Sequence, residues 1–363
     1  MKVVIAPDSF GGTLGPRAAA SAIADGWRRA RPDDELTTVP LSDGGEGLLD
    51  ALAGPDDTWL TTEACGPMGH PLDTGLLLRG DGTAVIETAL VCGLALVAPE
   101  RRDPLQATTY GVGELLDAAR DAGCTRLLVG LGGSATVDGG AGALTGLGFR
   151  LRVADGSGLK VGGRDLHRVR AAGHGWARDD WDEVEVVLLA DVSTVLADAA
   201  RRFGPQKGAT PEAVALLERG LAAWADVAER DLAGGSALRG LPGSGAAGGL
   251  GFGLAAGIGG RLVPGAAAVA DLADLDGALA GADLVVTGEG RLDATTAEGK
   301  VVTEVLARAS GAAVAVCAVV GQVAPDAAVD DLSDLEAAAP QGPGDDVEAE
   351  VAAAAARLAG RLA

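Results

Sequence analysis

Four times along this chain a short apolar run ends in a loop of glycine, serine and carboxylates. They are "VVIAPDSFGG" at 3–12, "TTVPLSDGGEG" at 37–47, "LLVGLGGSATVDGGAG" at 127–142 and "LVVTGEGRLD" at 284–293. An apolar run bounded by turn residues reads as a buried strand. Helical spacing follows the first loop, with Pro16 near the first turn and Ile23 and Trp27 at i, i+4. Serial strand–loop–helix units predict a parallel sheet with helices on its faces. Such sheets bind ligands beyond the carboxyl ends of their strands. Glycine there lets a ligand approach the backbone, and successive N–H groups form an anion nest.

The middle of the chain reads differently. Residues 57–90, broken by "GPMGHP" and "RGDGT", predict antiparallel strands and turns, and 151–182 are turn-rich again. Helices are predicted over 105–122, with Gly123 as a C-terminal cap, and over 211–231, with Val214, Leu217, Leu221 and Trp224 on one face. The Gly-rich 241–265 interleaves Leu, Phe and Ile, which predicts a close-packed helix beside a loop. Further strands are expected at "EVVLLA" and "AVAVCAVV", and a last helix over 347–363. The expected architecture is α/β with two domains. A Rossmann-like parallel-sheet domain (1–65 plus 275–363) would carry a second α/β domain (66–274) inserted in it, with the ligand cleft between them.

Aromatics are 3% of the 363 residues, so the core must be Ala, Val and Leu. The net charge of −22 argues against nucleic acid or an anionic membrane as partner. A polyanionic ligand would need local N–H groups, a cation or a metal. Of 29 basic residues only four are lysines, Lys2, Lys160, Lys207 and Lys300, which marks those inside Gly-rich loops. The four cysteines are dispersed without metal spacing and predict reduced thiols in a cytoplasmic protein. The N-terminus runs straight into a strand with no signal-peptide pattern, and no run approaches the ~20 apolar residues of a membrane span.

Five loops could carry chemistry. Asp8 and Ser9 are either ligand contacts at a strand end or a helix-capping turn. Asp43, between Ser42 and Glu46, is either a general base or Mg²⁺ holder, or a cap. The 130–142 loop offers N–H groups, the Ser134 and Thr136 hydroxyls and Asp138. It holds no basic residue between Leu127 and Phe149, so a phosphate there would rely on backbone and metal. Glu289, Arg291, Asp293 and Lys300 share one loop, a costly grouping unless the charges pair or meet a ligand. Lys207 in "FGPQKGAT" is either a site cation or a solvated loop lysine. No GxxxxGK[ST] or GxSxG pattern occurs. The residues alone point to an enzyme acting on a phosphorylated or carboxylated small molecule, and phosphoryl transfer fits best.

The motifs "VVIAPDSF", "PLSDGGEG", "ETALVCGLALV", "TTYGVGELL", "GLGGSATVDGGAGAL", "FGPQKGATPE", "GAAGGLGFGL" and "VVTGEGRLDATTAEGK" occur in an order that resembles the bacterial glycerate kinases of the glycerate 2-kinase type I family, over nearly the whole chain. The resemblance implies the glycerate kinase I fold, with MgATP and D-glycerate (or a related hydroxy acid) in the interdomain cleft and phosphorylation at the 2-hydroxyl. It leaves a homodimer open. It makes Asp43, Asp191, Arg291 and Lys300 catalytic candidates, and Asp191 and Glu289 metal ligands. It places the nucleotide on Gly132, Gly133, Ser134, Ala135, Thr136, Gly288 and Glu289, and the substrate on Asp8, Ser9, Ser42 and Asp293. The chain departs from the family pattern at Gly11, where a lysine is usual, and at Val137, where an asparagine is usual. The segment after Asp191 is also shortened and lacks an Asn-Pro pair. These departures keep open a homologue with an altered hydroxy-acid substrate or a non-catalytic, ligand- or partner-binding role.

Overall fold

The computed structural model describes residues 1–177, 180–190, 192–293, 296, 300–327, 331–338 and 346–362. Among them the strands begin with β1 (Lys2–Pro7), β2 (Glu35–Thr38), β3 (Thr58–Cys65), β4 (Pro71–Leu78), β5 (Thr83–Glu87), β6 (Arg126–Gly130), β7 (Arg150–Val153) and β8 (Val169–Gly173). They continue with β9 (Glu185–Ala190), β10 (Arg261–Pro264), β11 (Leu284–Gly288), β12 (Arg291–Leu292), β13 (Ala315–Val320), β14 (Gln322–Val323) and β15 (Asp334–Ala337). The chain divides into two units, Met1–Leu52 with Gly265–Ala363, and Ala53–Pro264.

The first unit carries an all-parallel sheet in the order β15-β13-β11-β1-β2. Numbered by occurrence within this unit, the order is 2-1-3-4-5, a doubly wound arrangement. The direction of progression reverses between β1 and β11, which pair from Val3↔Leu284 to Pro7↔Gly288. Val3, Ile5, Val286, Cys317 and Val319 form one core with the helices Pro16–Ala30 and Val347–Arg361. These helices meet closely because the chain uses small residues there. A Cβ on Gly26 would lie 1.9 Å from the Ala352 carbonyl oxygen. Ile23 and Trp27 are fully buried from the same helix, each worth about 1.5–3 kcal/mol. Val302, from the helix Val301–Ala312, packs with Ala318 and Val320 in a separate cluster.

The second unit carries a six-stranded sheet, β10-β9-β6-β5-β4-β3. It is parallel from β10 to β5 and antiparallel beyond. The "RGDGT" turn has its expected chemistry. Gly82, at φ +84°, donates to the Arg79 carbonyl at 3.1 Å, and Asp81 accepts the Thr83 N–H at 2.9 Å. The turn-rich 151–182 contains the β7–β8 hairpin. The helix Pro211–Asp231 is capped by Thr210 and buries Leu217, Leu221 and Trp224. Gly-rich 241–265 contains the helix Ala246–Ile258, but its start is not regular helix. Ala247, Gly248 and Gly249 are left-handed, at φ 50°, 68° and 91°. A Cβ on Gly248 would lie 1.9 Å from the Thr136 carbonyl oxygen, so the 130–142 loop needs bare backbone there.

The joints fall at 52/53 and 264/265 rather than at 65/66 and 274/275. β3 is hydrogen-bonded along its length to β4, from Thr58↔Leu78 to Cys65↔Pro71, and so belongs to the second unit. The helix Gly265–Leu272 packs on Val301–Ala312 and belongs to the first. Among the described residues no helix is long and apolar enough to cross a membrane, and Cys65, Cys92, Cys124 and Cys317 are free thiols.

Candidate functional site

In the first unit, three carboxylates gather at the carboxyl ends of adjacent strands. Asp8 follows β1, and its N–H donates to the carbonyl of Gly288, the last residue of β11, at 2.8 Å. Glu289 comes next after Gly288. The chain beyond β2 continues alongside β1, with the Leu41 N–H donating to the Pro7 carbonyl at 2.9 Å, which brings up Asp43. Asp8 and Glu289 are buried and Asp43 half-buried. Lys300, just ahead of the helix Val301–Ala312, is the cation whose charge acts on all three.

Burial pushes each carboxyl above the usual carboxylate range. For Asp8 the neighbouring Asp43 charge adds to the rise, and the Ser9 N–H, donating at 2.6 Å, opposes it. For Asp43 the Gly45 N–H, at 3.0 Å, and Lys300 pull the other way. For Glu289 the Thr296 hydroxyl, donating at 2.6 Å, and Lys300 oppose the rise. Three carboxylates facing one lysine make a site that favours a further cation. Oxygen donors of this kind suit Mg²⁺, which is commonly held by one or two carboxylates plus phosphate oxygens. Among the described residues no group of three or more His, Cys, Asp or Glu side chains is spaced to hold a metal by itself.

In the second unit, the loop after β6 is held in two different ways. Asp138, fully buried, accepts from the Thr109 N–H (2.9 Å) and hydroxyl (3.0 Å), the Gly140 N–H (3.1 Å) and the Gly142 N–H (3.3 Å). It ties the loop to the start of the helix Tyr110–Asp121. The front of the loop faces a cavity of about 90 Å³ lined by Gly133, Ser134, Gln206, Lys207 and Ala247, among others. Lys207 is 3% exposed and donates to Ser134 Oγ at 2.9 Å and to the Thr136 carbonyl at 2.8 Å. Among the hydrogen bonds of the described residues, none uses the N–H of Gly132, Gly133 or Ser134 as donor.

Lys207 brings to this loop a cation that the stretch from Leu127 to Phe149 does not itself contain. The cation arrives from 73 residues downstream of Ser134. The sequence signal was the scarcity of lysine, which could not separate a site cation from a solvated one. Other expected residues sit in plainer settings. The Ala135 N–H is taken by the Cys92 carbonyl at 2.7 Å, and the Thr136 hydroxyl reaches the Ala247 carbonyl at 3.4 Å. Gly288 is a packing glycine, since a Cβ there would lie 2.1 Å from the Val319 carbonyl oxygen. Ser42 is buried and accepts the Gly44 N–H at 3.2 Å, and Ser9 is half-buried. Arg291 is 64% exposed and pairs with Asp293 at 3.5 Å; among the described residues no ion pair joins it to Asp8, Asp43 or Glu289. Asp191 lies outside the described residues. Val137 is in the hydrophobic core, and Gly11 stands at φ +45° with open space where a side chain would go.

A family model described as the glycerate kinase family matches residues 3–362. The glycerate kinase of Bacillus subtilis is 39% identical over 331 residues, covering 90% of this chain and 86% of that one. The glycerate 2-kinase of Escherichia coli is 37% identical over 310 residues, 83% of this chain and 80% of its own. A crystal structure of the Salmonella typhimurium LT2 protein assigned as glycerate kinase 2 superposes with a TM-score of 0.84 at 36% identity, covering 100% of this chain and 98% of that one. Sequence and fold agree over the whole length: this chain belongs to the glycerate kinase family.

Proposed function

We propose that this protein transfers the γ-phosphoryl group of MgATP to the 2-hydroxyl of D-glycerate, giving 2-phosphoglycerate and ADP. The observation that carries the reading is the gathering of Asp8, Asp43 and Glu289 with Lys300 where the strand order reverses between β1 and β11. That is where an open parallel sheet offers its ligand crevice. Phosphoryl transfer asks mainly for positioning and charge neutralisation, which such a cluster supplies. The Escherichia coli relative, a glycerate 2-kinase by name, supports the 2-position.

Among the described residues we assign the hydroxyl proton to Asp43, whose proton affinity burial raises and which stands in the cluster with Lys300. Asp191 is the other candidate for that role. As the substrate oxygen bonds to the γ-phosphorus, the bond to the bridging oxygen breaks and ADP leaves. Lys300 and the exposed Arg291 neutralise charge on the transferring group. Glu289 and Asp191 are the carboxylates we assign to Mg²⁺, which when bound offsets phosphate charge. Asp8, Ser9, Ser42 and Asp293 orient glycerate, while Gly132–Thr136, Gly288 and Glu289 serve the nucleotide. A groove of about 580 Å³ runs beside the helix Val301–Ala312 from Asp293 and Thr296 to Val316 and Ser333, and has the size of a nucleoside site. The protein's four free thiols suit work in the cytoplasm.

A second reading, a different small hydroxy acid, is favoured by the open space at Gly11. Gly290 packs against the backbone there, since a Cβ on it would lie 3.0 Å from the Gly11 nitrogen. The test is ADP release from MgATP with D-glycerate and a panel of hydroxy acids, with the product position read by NMR. Turnover of D-glycerate to the 2-phosphate is expected. Turnover of another acid alone would establish the second reading. No turnover by folded protein with Mg²⁺ would overturn both in favour of a binding role.

A further inference from the structure

The three clustered carboxylates are not held alike. Asp8 and Asp43 each accept a backbone N–H, from Ser9 and Gly45, whereas Glu289 Oε1 accepts the Thr296 hydroxyl at 2.6 Å. A hydroxyl has one proton and rotates to suit its neighbours. Here the Asp293 N–H donates to Thr296 Oγ1 at 3.2 Å and occupies an acceptor position, which turns the proton towards Glu289. The backbone of Thr296 is fixed as well. Its N–H donates to the Asp293 carbonyl at 3.1 Å, and its carbonyl accepts the hydroxyl of Thr303, on the helix Val301–Ala312, at 2.7 Å. Thr296 is buried, so water competes little for these bonds. Among the hydrogen bonds of the described residues none uses Glu289 Oε2. A glutamate has considerable rotamer freedom to lose on binding, and a carboxylate that holds a cation is commonly oriented by a partner behind it.

We infer that Thr296 is a positioning residue: its hydroxyl pins Glu289 Oε1 and so presets this carboxylate for a divalent cation, with Thr303 holding Thr296 in place. The inference rests on the proposed function, which assigns Mg²⁺ to Glu289. Thr296 acts only through Glu289, and its hydroxyl contributes nothing once the carboxylate is gone.

The test is a double-mutant cycle. Mg²⁺ is titrated calorimetrically, with a non-hydrolysable ATP analogue present, into wild type, Thr296→Val, Glu289→Gln and the double variant. Valine keeps the branched shape and removes the hydroxyl. Thr296→Val is expected to weaken Mg²⁺ binding by about 10–100-fold, and Thr296→Ser to recover most of that loss. In the Glu289→Gln background the same valine is expected to change the affinity by less than about 3-fold. In turnover, Thr296→Val is expected to raise the Mg²⁺ requirement and lower kcat while the KM for D-glycerate stays unchanged. Should Thr296→Val fail to fold, Thr296→Ala, which removes the hydroxyl without a branched side chain, takes its place in the cycle. If wild type transfers no phosphoryl group but the valine still loses Mg²⁺ through Glu289, the proposed function fails and the inference stands. Equal losses in both backgrounds, unchanged Mg²⁺ affinity in folded Thr296→Val, or no Mg²⁺ binding by wild type overturns the inference and leaves Thr296 as a lock for its own turn.

Discussion

Asp138→Ala removes the acceptor on which the 130–142 loop depends. The carboxylate takes three backbone N–H groups, those of Thr109, Gly140 and Gly142, and the Thr109 hydroxyl, all without solvent. Alanine leaves the three buried N–H groups without a partner, at about 1–3 kcal/mol each. Burial raises the proton affinity of Asp138, so its charge is itself a cost that alanine relieves. The net loss is about 3–5 kcal/mol, a large part of a native stability of roughly 5–15 kcal/mol. For a unit of this size each kcal/mol moves Tm by about 2–4 °C, which puts the drop at roughly 6–20 °C. Trp224, on the helix Pro211–Asp231, donates to the Gly139 carbonyl at 2.8 Å and makes a fluorescence reporter of the same loop. Asp138→Asn keeps one acceptor but turns an amide donor toward N–H groups, and is expected to fall between alanine and wild type. A melting temperature for Asp138→Ala within about 2 °C of wild type would refute the reasoning. Asp138→Asn with a normal melt but no activity would make this aspartate a participant in the chemistry instead.

Glu289→Gln keeps the acceptor for the Thr296 hydroxyl and removes the charge. Because the folded state raises the Glu289 pKa above its ordinary 4.5, its contribution to stability is full below that pH and is lost as pH rises through the folded value. The variant should therefore melt higher than wild type at pH 7, with the difference vanishing below about pH 4, while losing phosphoryl transfer. A variant less stable at pH 7 would contradict the burial argument. Gly133→Ala adds a methyl with no clash closer than 3.6 Å but holds an L-residue at φ +64°, so it should cost about 1–2 kcal/mol of stability and weaken ligand binding well beyond that; unchanged ligand affinity would show that the loop backbone is not a contact. Arg291→Ala breaks only an exposed pair and should leave Tm unchanged, since such pairs contribute about 0–1 kcal/mol, yet lower kcat/KM if Arg291 meets the transferring group; full activity would remove it from the site.

Local pattern carried the elements. The runs at 2–7, 126–130 and 284–288 are strands, and Ile23 and Trp27 face inward from one helix, because periodicity and turn chemistry act within a few residues. The clustering of glycine and carboxylate after strands marked the loops that matter for the same reason. Which loop residues bind outward and which hold the fold was not legible there. Ser134 and Asp138 stand four apart in one glycine-rich stretch, yet one meets Lys207 beside a cavity and the other is enclosed by N–H groups.

Assembly decided the rest. Asp8, Asp43 and Glu289 are far apart in sequence, and only the pairing of β1 with β11, across a long inserted segment, sets them side by side. Local pattern puts β3 at the end of the first unit, whereas its pairing with β4 puts it in the second. The sequence by itself determined a glycine-looped α/β chain of the glycerate kinase kind. The tertiary structure determined which charges share a site, because burial and proximity between distant segments, rather than the order of residues along the chain, govern the energy of a charge.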